Sequence, residues 1–240
     1  MNVIGLFSPV IRQYISKIGA SITGGVLDVG CGDKPYRSYF VNAKSYIGLD
    51  RPSIIDSERT NVLSRKNSID VVGYAEALPF NEKSFDVVIA TQLIEHLARP
   101  NLFFAECARV LKSEGLLIIT FPMISLLHEE PHDYFRYTEY GIKVLCQDQD
   151  LEVEKIEKMG GGWLMVGYLI RDFLYKNASK TTNFMSYHLL KCMGSSTYNL
   201  LSHLDIYNWH PEGTLNYLIV AKKKKVPPQA NGDEGSLSWK

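Results

Sequence analysis

The chain has 240 residues, of which 45% are hydrophobic and 22% charged, and its formal net charge is zero. This length suits one α/β domain with its own core. The neutral balance argues against a nucleic-acid partner held by bulk electrostatics. No apolar run reaches the roughly 18 residues of a membrane span, and the N-terminus lacks the pattern of a signal peptide.

The four cysteines lie far apart in the sequence and form no C-x-x-C pair; they are Cys31, Cys107, Cys146 and Cys192. Scattered cysteines of this kind favour reduced thiols over disulfides or a zinc site. We therefore expect a cytoplasmic protein.

Residues 1–24 predict an N-terminal helix, with Ser8 as its N-cap and Pro9 in its first turn. Its apolar side chains recur on one helical face, at Val10, Ile11, Tyr14, Ile15 and Ile18. Such a face packs on the domain, or it lies on a membrane surface.

The next stretch, from Val26 to Gly32, reads VLDVGCG. Its first four residues predict a buried strand, and the two glycines predict a tight turn where the strand ends. Ligands of open α/β sheets bind at such turns, here with the Asp28 carboxylate beneath. The third glycine of a dinucleotide-binding G-x-G-x-x-G is replaced by Pro35, and Lys34 stands where G-x-G-x-G would place one.

A second strand, from Ser45 to Asp50, also ends in a carboxylate. A carboxylate at this position can accept hydrogen bonds from both hydroxyls of a ribose. Nicotinamide dinucleotides and S-adenosylmethionine both carry such a ribose, so Asp50 alone leaves the two cofactors open.

Strands and helices then alternate along the chain, which predicts a parallel sheet with helices on both faces. A short helix is predicted over 35–42 and a longer one over 101–113, and strands over 69–72, 85–90 and 116–120. Further on we predict a helix over 138–146 capped by Thr138, then strands over 151–156 and 215–220.

The domain is expected to occupy residues 1–225, followed by a disordered tail over 226–240. An apolar, helical insert over 160–211 separates the last two strands. We expect this insert to form a lid or a wall of the acceptor site.

Several motifs occur in an order that resembles the class I S-adenosylmethionine-dependent methyltransferases of the type 11 family. They are Leu27–Gly32, Gly73–Phe80, Ser84–Ala90, Gln92–Leu97 and Arg109–Leu117. The resemblance runs from about Gly25 to Pro122. It implies a Rossmann-like, doubly wound sheet of seven strands, mostly parallel with an antiparallel last strand, and helices on both faces.

The resemblance also implies S-adenosylmethionine as cofactor and assigns residues to it. The methionyl end of the cofactor would contact the glycine turn, and its ribose would bind Asp50. The adenine would lie against the turn after Gly73, where Tyr74 replaces the usual acidic residue. The predicted cofactor-binding residues are Asp28, Gly30, Cys31, Gly32, Asp50, Arg51, Ala75, Glu76, Thr91 and Gln92.

The acceptor side is predicted from the polar and aromatic stretch between His128 and Tyr137. His132, Asp133 and His96 are candidate catalytic groups, although a Glu-His pair such as Glu95-His96 is also common in the family as a structural helix start. His128, Tyr134 and Arg136 are candidate acceptor-binding residues. The histidine and acid spacing matches no zinc pattern, so no metal is predicted.

The resemblance implies methyl transfer to a small-molecule, sugar or lipid-linked acceptor. The segment from His128 to Tyr137 is similar to that of family members associated with cell-surface glycan and secondary-metabolite pathways. A non-catalytic protein that binds S-adenosylmethionine stays open, and a nicotinamide oxidoreductase is disfavoured by Pro35 and by the 75–80 turn. The insert also allows a contact between two copies of the chain in a homodimer. The basic strand end at Lys222–Lys225 allows a weak peripheral contact with a membrane.

Overall fold

The computed structural model describes residues 3–51, 69–210 and 212–225. These residues form one seven-stranded sheet in the order β3-β2-β1-β4-β5-β7-β6. Its strands are β1 (Gly25–Val29), β2 (Ser45–Asp50), β3 (Val71–Val72), β4 (Phe85–Thr91), β5 (Leu111–Pro122), β6 (Leu151–Met159) and β7 (Asn216–Lys223). Strand β7 runs antiparallel to both β5 and β6, while β1 to β5 pair in parallel. The predicted fold is confirmed.

The helices are α1 (Val3–Gly19), α2 (Pro100–Val110), α3 (Glu139–Gln147), α4 (Gly162–Ala178) and α5 (Phe184–Tyr207). Helix α1 begins before Ser8, so the predicted N-cap lies inside the helix. Thr138 caps α3 as predicted, because its side chain accepts a hydrogen bond from the Gly141 amide.

Two apolar cores lie on opposite faces of the sheet because successive side chains of a strand alternate between its faces. Leu27 and Val29 of β1 join one core, with Phe103 and Phe104 of α2. Val26 joins the other, whose buried members include Ile11, Ile15, Val87, Ile89 and Leu218. The buried face of α1 is therefore accounted for by packing on the domain.

Several predicted boundaries are wrong. The strand predicted over 116–120 is longer, the one over 151–156 continues to Met159, and the one over 69–72 is reduced to Val71–Val72. Two predicted helices also differ. The helix predicted over 101–113 ends at Val110, because Leu111 is extended (φ −70°, ψ 137°) and pairs with Phe85 of β4. The apolar face continues across this junction, so periodicity alone extends the helix too far. The short helix predicted over 35–42 is a single 3₁₀ turn, Arg37–Tyr39.

The insert between β6 and β7 is helical, as predicted, and consists of the antiparallel pair α4 and α5. The carboxylate of Asp205 on α5 accepts hydrogen bonds from the amides of Gly161 and Leu164, at 2.7 and 3.2 Å, and so ties the beginning of α4 to the end of α5. Within the described ranges, no helix combines the length and apolar content that crossing a membrane requires. The predicted tail over 226–240 lies outside the described residues, and the predicted domain limits stay a prediction.

Candidate functional site

A cavity of about 370 Å³ opens at the carboxyl ends of β1, β2 and β4. One wall, here called the strand side, is formed by Gly30, Gly32, Asp50, Ala75 and Glu76. The opposite wall, here called the loop side, is formed by His96, Glu129, His132 and Tyr134. Thr91 and Gln92, at the end of β4, also line the cavity. The cavity therefore stands where parallel α/β sheets bind their ligands.

The glycine turn of the strand side is held in a fixed conformation. Gly30 and Gly32 take positive φ angles of 71° and 49°. The amides of Gly30 and Cys31 donate to the Leu49 carbonyl of β2, at 2.8 and 3.1 Å, and the Gly32 amide donates to the Asp50 carboxylate at 2.9 Å. A Cβ added to Gly32 would meet no atom within 4 Å, so the space beside this backbone is open to a ligand.

Lys34, which stands where G-x-G-x-G would place a glycine, has a positive φ of 51°, a conformation that favours glycine. Its side chain crosses Gly48 of β2, where a Cβ would come within 2.2 Å of the Lys34 Cε, and its ammonium pairs with Asp70. Burial opposes ionisation of Asp70, but hydrogen bonds from Lys34 and from the Gly48 amide lower its pKa below the ordinary value. The ion pair therefore holds the turn in a glycine-like path without a glycine.

Asp28 lies beneath the turn, where it is almost fully buried and is not among the residues that line the cavity. The Tyr46 hydroxyl donates to its Oδ2 at 2.6 Å, whereas its Oδ1 has no hydrogen-bond partner among the described residues. Burial raises the pKa of Asp28 to about 7. A buried carboxylate oxygen without a partner suits the ammonium of a methionyl group, so the residues present fit S-adenosylmethionine.

The turn that carries Ala75 and Glu76 is attached to helix α2. The Arg109 guanidinium donates to the carbonyls of Leu78 and Phe80, at 2.9 and 2.7 Å, and the Glu106 carboxylate accepts from the Leu78 amide at 2.7 Å. Arg109 and Glu106 also pair with each other, one helical turn apart. A structural pair on α2 thus fixes the edge of the cavity.

Two predicted cofactor-binding side chains make contacts within the protein, although Arg51 also lines the cavity. The Cys31 side chain is buried beside Gly48, and burial raises the pKa of its thiol well above the ordinary value, so only its backbone belongs to the turn. The Arg51 guanidinium lies 3.8 Å from the Glu129 carboxylate of the loop side. Both residues line the cavity, so this ion pair forms part of its wall.

Thr91 and Gln92, predicted at the end of β4, both line the cavity. Gln92 has a positive φ of 51°, an uncommon conformation for a residue other than glycine. Its side-chain amide donates to Thr120 and Asn216 on the neighbouring strands, at 3.3 and 3.1 Å. These bonds fix the junction of the two walls.

Three predicted acceptor-side residues come together on the loop side: His96, His132 and Tyr134. Nδ1 of His96 lies 2.7 Å from the His132 carbonyl oxygen, and Nδ1 of His132 lies 3.1 Å from the Tyr134 hydroxyl. Burial lowers the pKa of His96, so this ring is neutral near neutral pH. His132 is exposed at the rim, where an acceptor would enter.

The other three predicted residues lie behind that wall. Asp133 has a side chain only 1% exposed, and both of its oxygens accept from the Arg136 guanidinium, at 2.6 and 2.8 Å. Burial opposes its ionisation, but these bonds and one from the His128 amide lower the pKa of Asp133 to about 2. A paired, strongly acidic carboxylate is a poor base, so the structure argues against the catalytic role predicted for Asp133. Arg136 and His128 are absent from the cavity lining and are not placed to bind an acceptor directly.

Sequence reasoning assigned no donor or acceptor role to Glu129, Tyr46 or Glu95; it considered Glu129 only as a metal ligand and Glu95 only as part of a structural pair. Glu129 lines the cavity from a loop, where its own φ is 54°, and no sequence motif indicates this position. Tyr46 reaches Asp28 only because β1 and β2 pair in register, Val26 opposite Tyr46. The side chain of Glu95 is fully buried beside His96, and the Glu-His pair was the one available signal for it.

Comparison with known proteins places this arrangement in context. Residues 27–119 match the family model described as "Methyltransferase domain". The ubiquinone biosynthesis O-methyltransferase of Bartonella quintana is 30% identical over 204 residues, which cover 82% of this chain and 72% of that protein. The fatty-acid O-methyltransferase of Mycolicibacterium smegmatis is 34% identical over 102 residues, 40% of this chain, and the match spans only 36% of that relative's length.

Among solved structures, a SAM-dependent methyltransferase from Archaeoglobus fulgidus has the same fold. Its TM-score is 0.55 at 19% sequence identity, and the match covers 91% of this chain and 94% of that one.

Proposed function

The chain belongs to the class I S-adenosylmethionine-dependent methyltransferases, and we propose that it methylates a hydroxyl group of a lipid-like or lipid-linked acceptor. One observation carries the proposal: a single cavity joins a wall of backbone amides and carboxylates to a wall with histidine and tyrosine side chains. The first wall suits a nucleoside, and the second suits a hydroxyl group that must lose a proton.

The strand side holds the donor in this proposal. Bound S-adenosylmethionine supplies an electrophilic methyl group. Asp50 binds the ribose hydroxyls, the backbone of Gly30 and Gly32 flanks the methionyl end, and Asp28 faces its ammonium. Because charge is dispersed during methyl transfer, a site that excludes water and aligns the reactants accounts for much of the rate.

On the loop side, His132 is the base that we propose for the acceptor proton. It lies at the open rim, and the Tyr134 hydroxyl is within hydrogen-bond distance of its Nδ1. His96 is less suitable because its Nδ1 is bound to a carbonyl and its side chain is only 8% exposed. Asp133 and Arg136 hold the loop in shape.

Two observations support a lipid-like acceptor. The relatives compared above are by name a fatty-acid O-methyltransferase and a ubiquinone biosynthesis O-methyltransferase. In addition, α4 and α5 expose many large apolar side chains, among them Phe173, Phe184, Met185, Leu189, Leu200 and Ile206. The Lys176 ammonium on α4 donates to the Leu127 carbonyl at 2.9 Å, which joins these helices to the loop side.

The test separates donor binding from methyl transfer. Calorimetry should detect S-adenosylmethionine binding to the purified chain and its loss in Asp50→Ala. Radiolabelled methyl groups should then appear on an acceptor in a panel of fatty acids, phenolic lipids and lipid-linked glycans. His132→Gln should bind the donor normally yet transfer slowly.

A second candidate function, donor binding without methyl transfer, predicts a different pattern. The donor would then bind with normal affinity, but no label would leave it with the panel or with a lipid extract of cells. Absence of donor binding to the wild-type chain would overturn both candidates. The predicted homodimer and the cytoplasmic location stay predictions.

A further inference from the structure

Three side chains able to bind a metal converge behind the loop side: Glu95, His96 and His128. One candidate ligand atom from each lies within 4.8 Å of the other two. Nε2 of His96 is 3.8 Å from Oε1 of Glu95, and the two imidazole rings meet edge to face with centroids 4.9 Å apart. Ligands of a tetrahedral zinc ion, bound at about 2.0–2.1 Å, lie about 3.4 Å from one another, so small side-chain rotations complete the site.

Both imidazoles are oriented as metal ligands usually are. Nδ1 of His96 lies 2.7 Å from the His132 carbonyl, and Nδ1 of His128 lies 3.1 Å from the Leu126 carbonyl. A carbonyl oxygen only accepts, so each Nδ1 carries a proton, and the nitrogen that can offer a lone pair to a metal is Nε2. Metal-binding histidines typically donate their second nitrogen to a carbonyl or carboxylate in this way.

The carboxylate of Glu95 provides independent evidence. Its side chain is completely buried, yet neither of its oxygens has a hydrogen-bond partner among the described residues. Buried carboxyl groups are normally paired or bound to a metal, and an unpaired one requires an explanation. A cation between Glu95 and the two rings would satisfy this group.

We propose that Glu95, His96 and His128 form a binding site for a zinc-like divalent metal ion. Two imidazoles and one carboxylate are a ligand set that suits zinc and related transition metals better than magnesium or calcium, which prefer oxygen ligands. Three protein ligands leave a fourth tetrahedral position open, as in catalytic zinc sites. The sequence did not predict the site because His128 lies far along the chain from His96.

The position of the site indicates its use. His96 is both a ligand and part of the cavity lining, so the ion lies next to the acceptor. An acceptor oxygen in the open position would be oriented by the ion, and its hydroxyl proton would become more acidic. This role rests on the proposed function, whereas metal binding itself does not.

The experiment uses the full chain, stripped of metal with a chelator and dialysed. Cobalt(II) is titrated and followed by visible absorption, and zinc(II) is titrated in a calorimeter. We expect one equivalent to bind with the spectrum of a four- or five-coordinate nitrogen and oxygen site. Glu95→Gln and His128→Gln should each weaken binding by more than about 100-fold, because even second-shell substitutions typically cost about 10–100-fold. His203→Gln, on the exposed surface of α5, is the matched control and should bind like the wild type.

Absence of saturable binding in the wild type would overturn the proposal, as would unchanged affinity in both Glu95→Gln and His128→Gln. The cluster would then be a protonated glutamate packed against two histidines. Melting curves show whether each variant folds. If Glu95→Gln does not fold, the metal affinity of His128→Gln decides the outcome, because His128 is partly exposed and its substitution disturbs the core less. Donor binding is measured separately in the presence of chelator. Absence of metal binding would therefore not contradict the proposed function, and absence of donor binding would not contradict the metal site.

Discussion

The strand side and the loop side of the cavity are built by different means. The strand side consists of strand ends and tight turns, and its groups are backbone amides and carboxylates fixed by the register of β1 and β2. The loop side consists of side chains that hold one another across an irregular segment, such as Asp133 with Arg136. The strand side is thus held by regular structure and the loop side by contacts between side chains, an arrangement in which a rigid scaffold positions a functional loop.

The largest expected effect comes from filling the strand side. In Gly32→Val, a β-branched residue must adopt a positive φ, and its side chain enters the open space of the cavity. We expect donor affinity to fall by about 1,000-fold, equivalent to about 4 kcal/mol. Calorimetric titration measures it, with Gly141→Ala in helix α3 as control. Near-normal affinity in Gly32→Val would mean that the donor binds elsewhere.

Removing Arg136 should affect the loop side alone. Arg136→Leu leaves the buried carboxylate of Asp133 unpaired, and we expect a loss of roughly 3 kcal/mol in the free energy of unfolding. Donor affinity should change by less than about twofold, because no strand-side group contacts the pair. Chemical denaturation and calorimetry measure the two effects, with the exposed Arg12→Leu as control. An equal loss of donor affinity would show that the two walls are coupled.

The raised pKa of Asp28 predicts a pH dependence on the strand side. A carboxyl with a pKa of about 7 is mostly protonated at about pH 6 and mostly ionised at about pH 8, so affinity for the cationic donor should rise by up to about tenfold over this range. Asp28→Asn should remove this part of the pH dependence, which calorimetry at a series of pH values would detect.

The raised pKa of Asp28 has the opposite effect on the stability of the folded state. Because the folded state holds the Asp28 proton more tightly than the unfolded chain, Asp28 lowers stability as pH rises from about 4 to about 7. Parallel pH profiles of Asp28→Asn and the wild type would contradict both statements.

The smallest effect concerns Lys34. Lys34→Gly loses the ion pair with Asp70 but relieves a positive φ, and these changes nearly cancel. Lys34→Ala loses the pair and keeps the strain, so it should be less stable than Lys34→Gly by about 1 kcal/mol. Urea denaturation resolves this difference. Equal stability of the two variants would show that the positive φ at position 34 costs no stability, and that the ion pair accounts for the contribution of Lys34.

The sequence predictions were more accurate for the strand side than for the loop side. Val26–Gly32 and Ser45–Asp50 were placed correctly because a buried strand followed by a turn is a local pattern. The boundary at Leu111 was missed because it depends on pairing with Phe85, which is distant in the sequence. On the loop side, residue types suggested chemistry, but only three-dimensional contacts distinguish His132 at the rim from Asp133 inside an ion pair.

The hydrogen bond from the Gly32 amide to Asp50 has a thermodynamic consequence. The carboxylate that we expect to hold the ribose already orders the adjoining loop in the free protein. An incoming nucleoside therefore meets a rigid receptor, and few backbone torsions lose their freedom when it docks. Its association should be fast and largely independent of conformational rearrangement at this end of the crevice.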